Sequence, residues 1–480
     1  MDNNNNSNSK DDRSKDDRSN QNIISQSNKY FAHLTNYKNY YLLSLTLVVT
    51  LIPLLMSIFS NNLLIQGEES YFHLIEAGGY STTTIFPYFL KMLNYQYINN
   101  IFIILPLLLA FGSIFFLLKT ADQLKLPPEF TLFFLVMLII TPVFIDTFST
   151  LSLYGFYTLL ISLGFYLISN ENKRVKWMAC IPFILATFTD LASVIFLAAL
   201  LTIYSIIFKE NRRISIFLIA LIITLGIFNF FAMSMNFFIN HFHSQHLTID
   251  LISDLGGKSG LGMFTLLLSL IGLSTTWKKK NFYFAYFFTI PLIIFYWYNT
   301  QTVFHLTILI IFFSTVGFIN LFNRKWTLES LKRFSLLLIV LGILFSTLTY
   351  LGRSTDNQFS IEEAETLGWI KDQISEEGKI YSFPDKSNFI SYFSYRDTFH
   401  NLDSDENKKK AATIILNSTY VDQTLPLLED NNINIIYVTE DMKLTLPSDQ
   451  GLLFLLKNER FKLVHSQGDT EVWVFSKLNN

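Results

Sequence analysis

Eleven runs of mainly apolar residues precede Gly352, at 40–60, 99–118, 130–146, 151–169, 177–189, 191–208, 214–234, 260–276, 282–298, 302–321 and 333–351. A helix needs roughly 20 such residues to cross a bilayer, so the spacing predicts a polytopic α-helical membrane protein of about eleven spans. The run at 177–189 is the shortest, and Pro182 with Phe188-Thr189-Asp190 predicts a broken or re-entrant hairpin there. Only 15% of the 480 residues are charged, while 50% are hydrophobic and 16% aromatic. Ordinary soluble proteins carry roughly a quarter charged residues, so the deficit points to lipid as solvent.

The loops give an independent reading. Basic residues gather at Lys173, Arg174 and Lys176, at Lys209, Arg212 and Arg213, at Lys278, Lys279 and Lys280, and at Arg324, Lys325, Lys332 and Arg333. Such clusters stay in the cytoplasm. That places the N-terminal tail inside, and residues 61–98, 145–150, 235–259 and 352–480 outside. Residues 1–38 are rich in Asn, Ser, Lys and Asp and too poor in apolar side chains to offset ordering entropy, which predicts a disordered cytoplasmic tail. The net charge of -2 offers no basic field for nucleic acid. A lone Cys180 excludes an internal disulfide framework and a cysteine-based zinc cluster.

Three domains follow: the tail 1–38, a membrane domain 39–352 and an extracytoplasmic α/β domain 353–480. In the last, Ser360-x-x-Glu363 is a capping box opening an amphipathic helix, and strands are expected at 379–383, 433–438, 461–466 and 471–476. Helices are expected between them, giving a two- or three-layer unit.

Acidic residues sort to the outer side: Glu68, Glu69 and Glu76, then Asp146, Asp190, Asp250 and Asp254. Charges near span ends require an aqueous or paired setting, so their shared side predicts one acidic chamber. Within Gly67–Gly79, Glu69, His73 and Glu76 fall at i, i+4 and i+7, on one helical face. A carboxylate beside an imidazole in a partly dry site can serve as a base. The bland alternative is an interfacial helix with a wet polar face. His241, His243 and His246 have a zinc-like spacing, but read better as a wet loop because only Asp250 or Asp254 offers a further ligand.

The Gly67–Gly79 segment resembles the first outer loop of GT-C membrane glycosyltransferases, especially archaeal oligosaccharyltransferase catalytic subunits, which carry Gly-x-Asp-Pro-x-Tyr-His-Leu-Arg after the first span. Gly67, Glu69, Phe72, His73 and Leu74 match in kind, while Ser70 stands for the Pro and Ile75 for the Arg. Residues 252–273 and the segment from Thr366 are similar to later parts of the same proteins. The family's acceptor-reading Trp-Trp-Asp-Tyr-Gly corresponds to Phe383-Pro384-Asp385-Lys386-Ser387, where only Asp385 remains, which argues against sequon recognition.

The resemblance implies transfer of a sugar from a polyprenyl-phosphate-linked donor to an acceptor protein or glycan, beside membrane lipid, outside the cytoplasm. Glu69 and His73 would be catalytic. Glu68, Asp146, Lys258, His305, Arg353 and Asp385 would bind substrate, with Lys258, Arg353 or His305 facing the phosphate. Asp146 is the single candidate for the family's second acidic element, so a divalent cation (Mg or Mn) would be weakly held or dispensable. A lipid-linked sugar transporter and a non-catalytic relative of the same fold also fit the chain.

Overall fold

The computed structural model describes residues 37–79, 84–93, 99–232, 251–255, 260–279, 282–298, 302–356, 358–375, 378–401, 404–418, 420–446 and 451–475. Most of the N-terminal tail, the His241, His243 and His246 cluster, Asp250 and Lys258 lie outside them.

The chain opens with α1 (Lys38–Phe59), followed by two shorter helices, α2 (Glu68–Gly78) and α3 (Ile85–Leu93). α4 (Asn99–Gln123) returns across the bundle. α5 (Pro128–Ile139) and α6 (Pro142–Ser149) meet at a 62° bend. The cause is local: Pro142 cannot continue the hydrogen-bond ladder of α5 and instead starts α6, whose first turn Thr141 caps through Phe144 N. Next come α7 (Leu153–Ile168), α8 (Lys173–Met178), α9 (Cys180–Ala186), α10 (Leu191–Ile207) and α11 (Arg212–Ala232). α12 (Met263–Thr276), α13 (Tyr283–Tyr298), α14 (Val303–Asn323) and α15 (Glu329–Asp356) complete the bundle.

Among the described residues five helices, α1, α4, α11, α14 and α15, are long and apolar enough to cross a membrane, and the bent pair can make a sixth. α7, α10, α12 and α13 are apolar but shorter. Residues 177–189 are broken between α8, α9 and a turn, so this run is not a continuous span. α15 exposes Leu337, Leu341, Leu344, Phe345 and Leu348, an apolar face suited to lipid.

Where the bundle is tightest, side chains are absent. A Cβ on Gly272 would lie 1.9 Å from the Phe313 carbonyl oxygen, and one on Gly317 would lie 2.2 Å from that of Leu268. α12 and α14 thus touch backbone to backbone, the contact that small residues permit between membrane helices. The Ser314 hydroxyl seals it by donating to Thr265 O.

At one end of the bundle Lys38 pairs with Asp122 at 2.7 Å. At the other, Leu63 N donates to Phe359 O and Ser57 Oγ to Gln358 Oε1, so the C-terminal domain sits at the end away from Lys38. α15 runs on to Asp356, past the boundary read at residue 352. The domain comprises α16 (Ile361–Gln373), β1 (Lys379–Tyr381), α17 (Ser387–Ser394), α18 (Glu406–Asn417), α19 (Val421–Asp430), β2 (Ile433–Val438), α20 (Glu440–Thr445), α21 (Leu452–Leu455), β3 (Phe461–Gln467) and β4 (Thr470–Phe475).

The sheet order is β1-β2-β4-β3, with β1 parallel to β2 and the remaining pairs antiparallel. β2 is buried throughout. Its Ile435 and Tyr437 join a core with Leu367 and Ile370 of α16, while Ile436 and Val438 join another with Ile415 and Leu428 of α18 and α19. Helices on both faces make the domain three-layered. The first of these cores is continuous with the interior of the bundle, so the domain is packed onto the membrane part rather than tethered to it.

Candidate functional site

The site begins at Gly67, the residue before α2, with φ +78. A Cβ there would be strained and would lie 2.7 Å from the Thr150 methyl group, so glycine lets this turn press against the α6–α7 loop. Ser70 stitches the two together: it accepts from Leu151 N at 2.8 Å and donates to Gln66 O. α2 is thereby fixed over Thr150, Leu151 and Ser152.

From that anchored helix, Glu69, His73 and Glu76 project together, as their spacing predicts. His73 Nε2 lies 3.6 Å from Glu69 Oε1, and Nδ1 lies 3.6 Å from Glu76 Oε2. These are ion-pair distances, too long for hydrogen bonds. The imidazole is buried and stands edge-on to Phe86 of α3. Burial pulls its pKa down, but the two flanking carboxylates outweigh burial and hold it above the usual 6.5.

Glu69 Oε1 also accepts from Ser152 Oγ at 3.1 Å and Leu153 N at 3.4 Å. Ser152 caps α7 by accepting from Tyr154 N. The Tyr154 hydroxyl donates to Asp190 Oδ2 at 3.1 Å, and Asp190 Oδ1 accepts from Ser193 N to cap α10. Ser193 Oγ contacts His305 Nε2 at 3.1 Å, and Tyr157 donates to Ser193 O. One polar network therefore runs from Glu76 through four helices to His305. It reaches solvent at Glu69, whose side chain is 23% exposed, against 5% for His73.

The remaining sequence-derived candidates are dispersed. His305, expected to face a phosphate, is completely buried among Tyr154, Tyr157, Phe196 and Phe304, so it is an interior member of the network. Asp146 accepts from the Tyr350 hydroxyl at 2.8 Å. Arg353, one turn beyond Tyr350, bonds Ser253 O and Oγ. Asp146 and Arg353 thus form a second cluster behind the α6–α7 loop. Asp254 accepts from Met263 N at the start of α12. The single acidic chamber expected from sidedness is therefore divided among several settings.

Glu68, a candidate for substrate binding, faces the C-terminal domain, where its carboxyl accepts from Asn388 N at 2.5 Å, Phe389 N at 3.3 Å and Ser387 Oγ at 3.2 Å. Asp385, in the short turn Pro384–Lys386, stands at the same seam and acts electrostatically on Glu68. Its neighbour Lys386 is held by Glu363 at 2.7 Å and Asp441 at 2.9 Å.

Among the described residues, no group of three carboxylate, imidazole or thiol side chains is placed to hold a metal ion.

Sequence reading missed Ser152, Tyr154, Tyr157 and Ser193, and noticed Asp190 only as an acid near a span end. Each hydroxyl lies within an apolar run or at its edge and carries no charge to betray it. The available signal was Asp190 three residues before Ser193, an N-cap pattern.

No protein-family model and no curated protein matches the sequence. Solved structures do match. The apo oligosaccharyltransferase of Archaeoglobus fulgidus superposes with a TM-score of 0.55 at 10% identity, over 92% of this chain and 75% of that one. The same enzyme, AglB, in complex with an inhibitory peptide and a dolichol-phosphate gives 0.52 at 11% identity over the same shares. A form tethered to an acceptor peptide containing the NVT sequon gives 0.53 at 10% identity, again over 92% and 75%. The likeness is one of fold: a helical bundle with several membrane-length helices, carrying a C-terminal domain.

Proposed function

We propose that the protein is a GT-C-type glycosyltransferase that moves a sugar from a polyprenyl-phosphate-linked donor to an acceptor hydroxyl on the extracytoplasmic side. The observation that carries this reading is Glu69, the solvent-reaching member of a buried polar network, on a fold shared with an enzyme solved with dolichol-phosphate. In the proposed step Glu69 takes the acceptor proton. The acceptor oxygen bonds to the anomeric carbon as the carbon–oxygen bond to phosphate breaks, and phosphate leaves with the electron pair. His73, 3.6 Å away, orients the Glu69 carboxylate beforehand. Lys258, outside the described residues, is the first candidate from sequence to face the departing phosphate, and Arg353, which bonds Ser253, the second.

Sidedness in this proposal follows from the basic loops, which put the N-terminus in the cytoplasm. A second reading, a non-catalytic relative, draws support from the seam position of Asp385 and from the absence of a metal-holding group among the described residues.

The deciding experiment is transfer from a labelled polyprenyl-phosphate sugar by the purified full-length protein, with Glu69→Gln in parallel. Removing a positioned base costs about 10²–10⁴-fold in rate. Loss of turnover of that size in the variant supports the enzyme. Equal transfer by both proteins, or none by the folded wild type over several donors and acceptors, sinks it.

A further inference from the structure

α2 presents two unlike faces. One carries Glu69 and His73 into the polar network. The other is sealed against the C-terminal domain by contacts that span from 288 to over 320 residues of sequence. Glu68 caps the first turn of α17 with three hydrogen bonds, to Ser387, Asn388 and Phe389. Tyr71, 1% exposed, stands within 5.2–5.7 Å of the rings of Phe359, Phe389, Tyr392 and Phe393. Phe359 and Phe389 stack at 4.0 Å and 5° beneath it.

A carboxyl so enclosed is committed to the position of α17. Adjacent residues on an α-helix share one rigid backbone, so a shift of Glu68 moves Glu69 as well. α2 itself is short and enters through a turn at Gly67 that only glycine adopts without strain, so the helix gains little fixity from its own length.

We propose that Glu68 is a positioning residue: by clamping α2 to the N-terminus of α17, it sets the Glu69 carboxylate and makes that carboxylate respond to how the C-terminal domain is seated. This rests on the assignment of Glu69 as the base. The consequence is mechanical coupling between the domain and the chemistry, without the domain contributing a reacting group.

The test uses full-length protein in lipid nanodiscs, comparing Glu68→Ala and Glu68→Gln with wild type and Glu69→Gln. Misplacement of a reacting group by about 1 Å costs on the order of 10²-fold, so Glu68→Ala should lower kcat by ~10–100-fold. KM for the lipid-linked donor should stay within about twofold, because donor contacts are untouched. Glu68→Gln keeps the shape and one carbonyl acceptor, and should restore part of the loss.

Hydrogen exchange gives a readout independent of turnover: the Asn388 and Phe389 amides and those of α2 should exchange faster in the alanine variant. Should Glu68→Ala fail to fold, the same paired measurements on Glu68→Gln decide the matter. Faster exchange at full kcat would make the clamp structural only and overturn the proposal. Unchanged kcat and unchanged exchange would overturn it too. Wild-type transfer by Glu69→Gln would fail the base assignment itself, a result visible without any Glu68 variant.

Discussion

Glu68 and Glu69 are neighbours in sequence, about 100° apart around one helix, and they inhabit different worlds. Glu69 lies beside hydroxyls, an imidazole and solvent; Glu68 lies in a dry seam beneath aromatic rings, with backbone amides for company. A side chain's chemistry here is set by the surface its helix face meets. Residue type alone does not distinguish the pair. The polar face is wired into α7, α10 and α14, whereas the aromatic face fixes where the C-terminal domain rests.

The largest disruption of this contrast is Tyr71→Ala. Removing a fully buried ring costs about 3–5 kcal/mol, and the loss should fall on the dry face. Limited proteolysis should then cut between the bundle and the C-terminal domain far faster than in wild type. Undiminished resistance would mean that Tyr71 does not hold the seam.

Next in size is Tyr154→Phe, which leaves Asp190 Oδ2 without the Tyr154 hydroxyl and keeps the ring. Loss of a buried partner to a carboxylate costs about 1–3 kcal/mol. Sugar transfer should fall while protease resistance of the seam stays as in wild type. If both change together, the two faces are not separable and the comparison breaks.

The subtlest test is pH, since the two faces titrate over different windows. Burial, opposed by the three hydrogen-bond donors and reinforced by the charge of Asp385, raises Glu68 from 4.5 to about 8. The docked state therefore holds a proton that the separated state has lost. Docking should weaken as pH climbs from 4.5 and level off above about 8. Tyr71 and Tyr392 face the same seam but ionise far higher, and Lys386 is engaged by Glu363 and Asp441.

His73 is raised above 6.5, so its stabilisation of α2 is full below that value and is lost as pH rises through its elevated pKa. Hydrogen exchange measured against pH separates the contributions: Glu68→Gln should flatten the seam's response alone, and His73→Gln that of the polar face alone. A response unchanged by both substitutions would remove these groups as its source.

What sequence could reveal follows the range of the interaction. The Glu69, His73 and Glu76 face was legible because helical periodicity is local, and so was the Ser360–Glu363 capping box, which is present as read. Strands at Lys379–Tyr381, Ile433–Val438, Phe461–Gln467 and Thr470–Phe475 stood out by turns and apolar alternation. The partners of Glu68 did not, because they lie about 320 positions away. Nor did Tyr154 or Ser193, which look like ordinary members of apolar runs. Apolar length alone did not show that Pro142 bends the chain between α5 and α6, or that several apolar runs form helices of only 14–17 residues.

The bare contact between Gly272 and Gly317 carries a consequence for biogenesis. α12 has 14 residues, fewer than the roughly 20 that cross a bilayer unaided, and the surface it is shaped for belongs to a helix made later. The packing of α12 therefore cannot be completed before α14 exists, and a bulkier side chain at either glycine would push the two backbones apart.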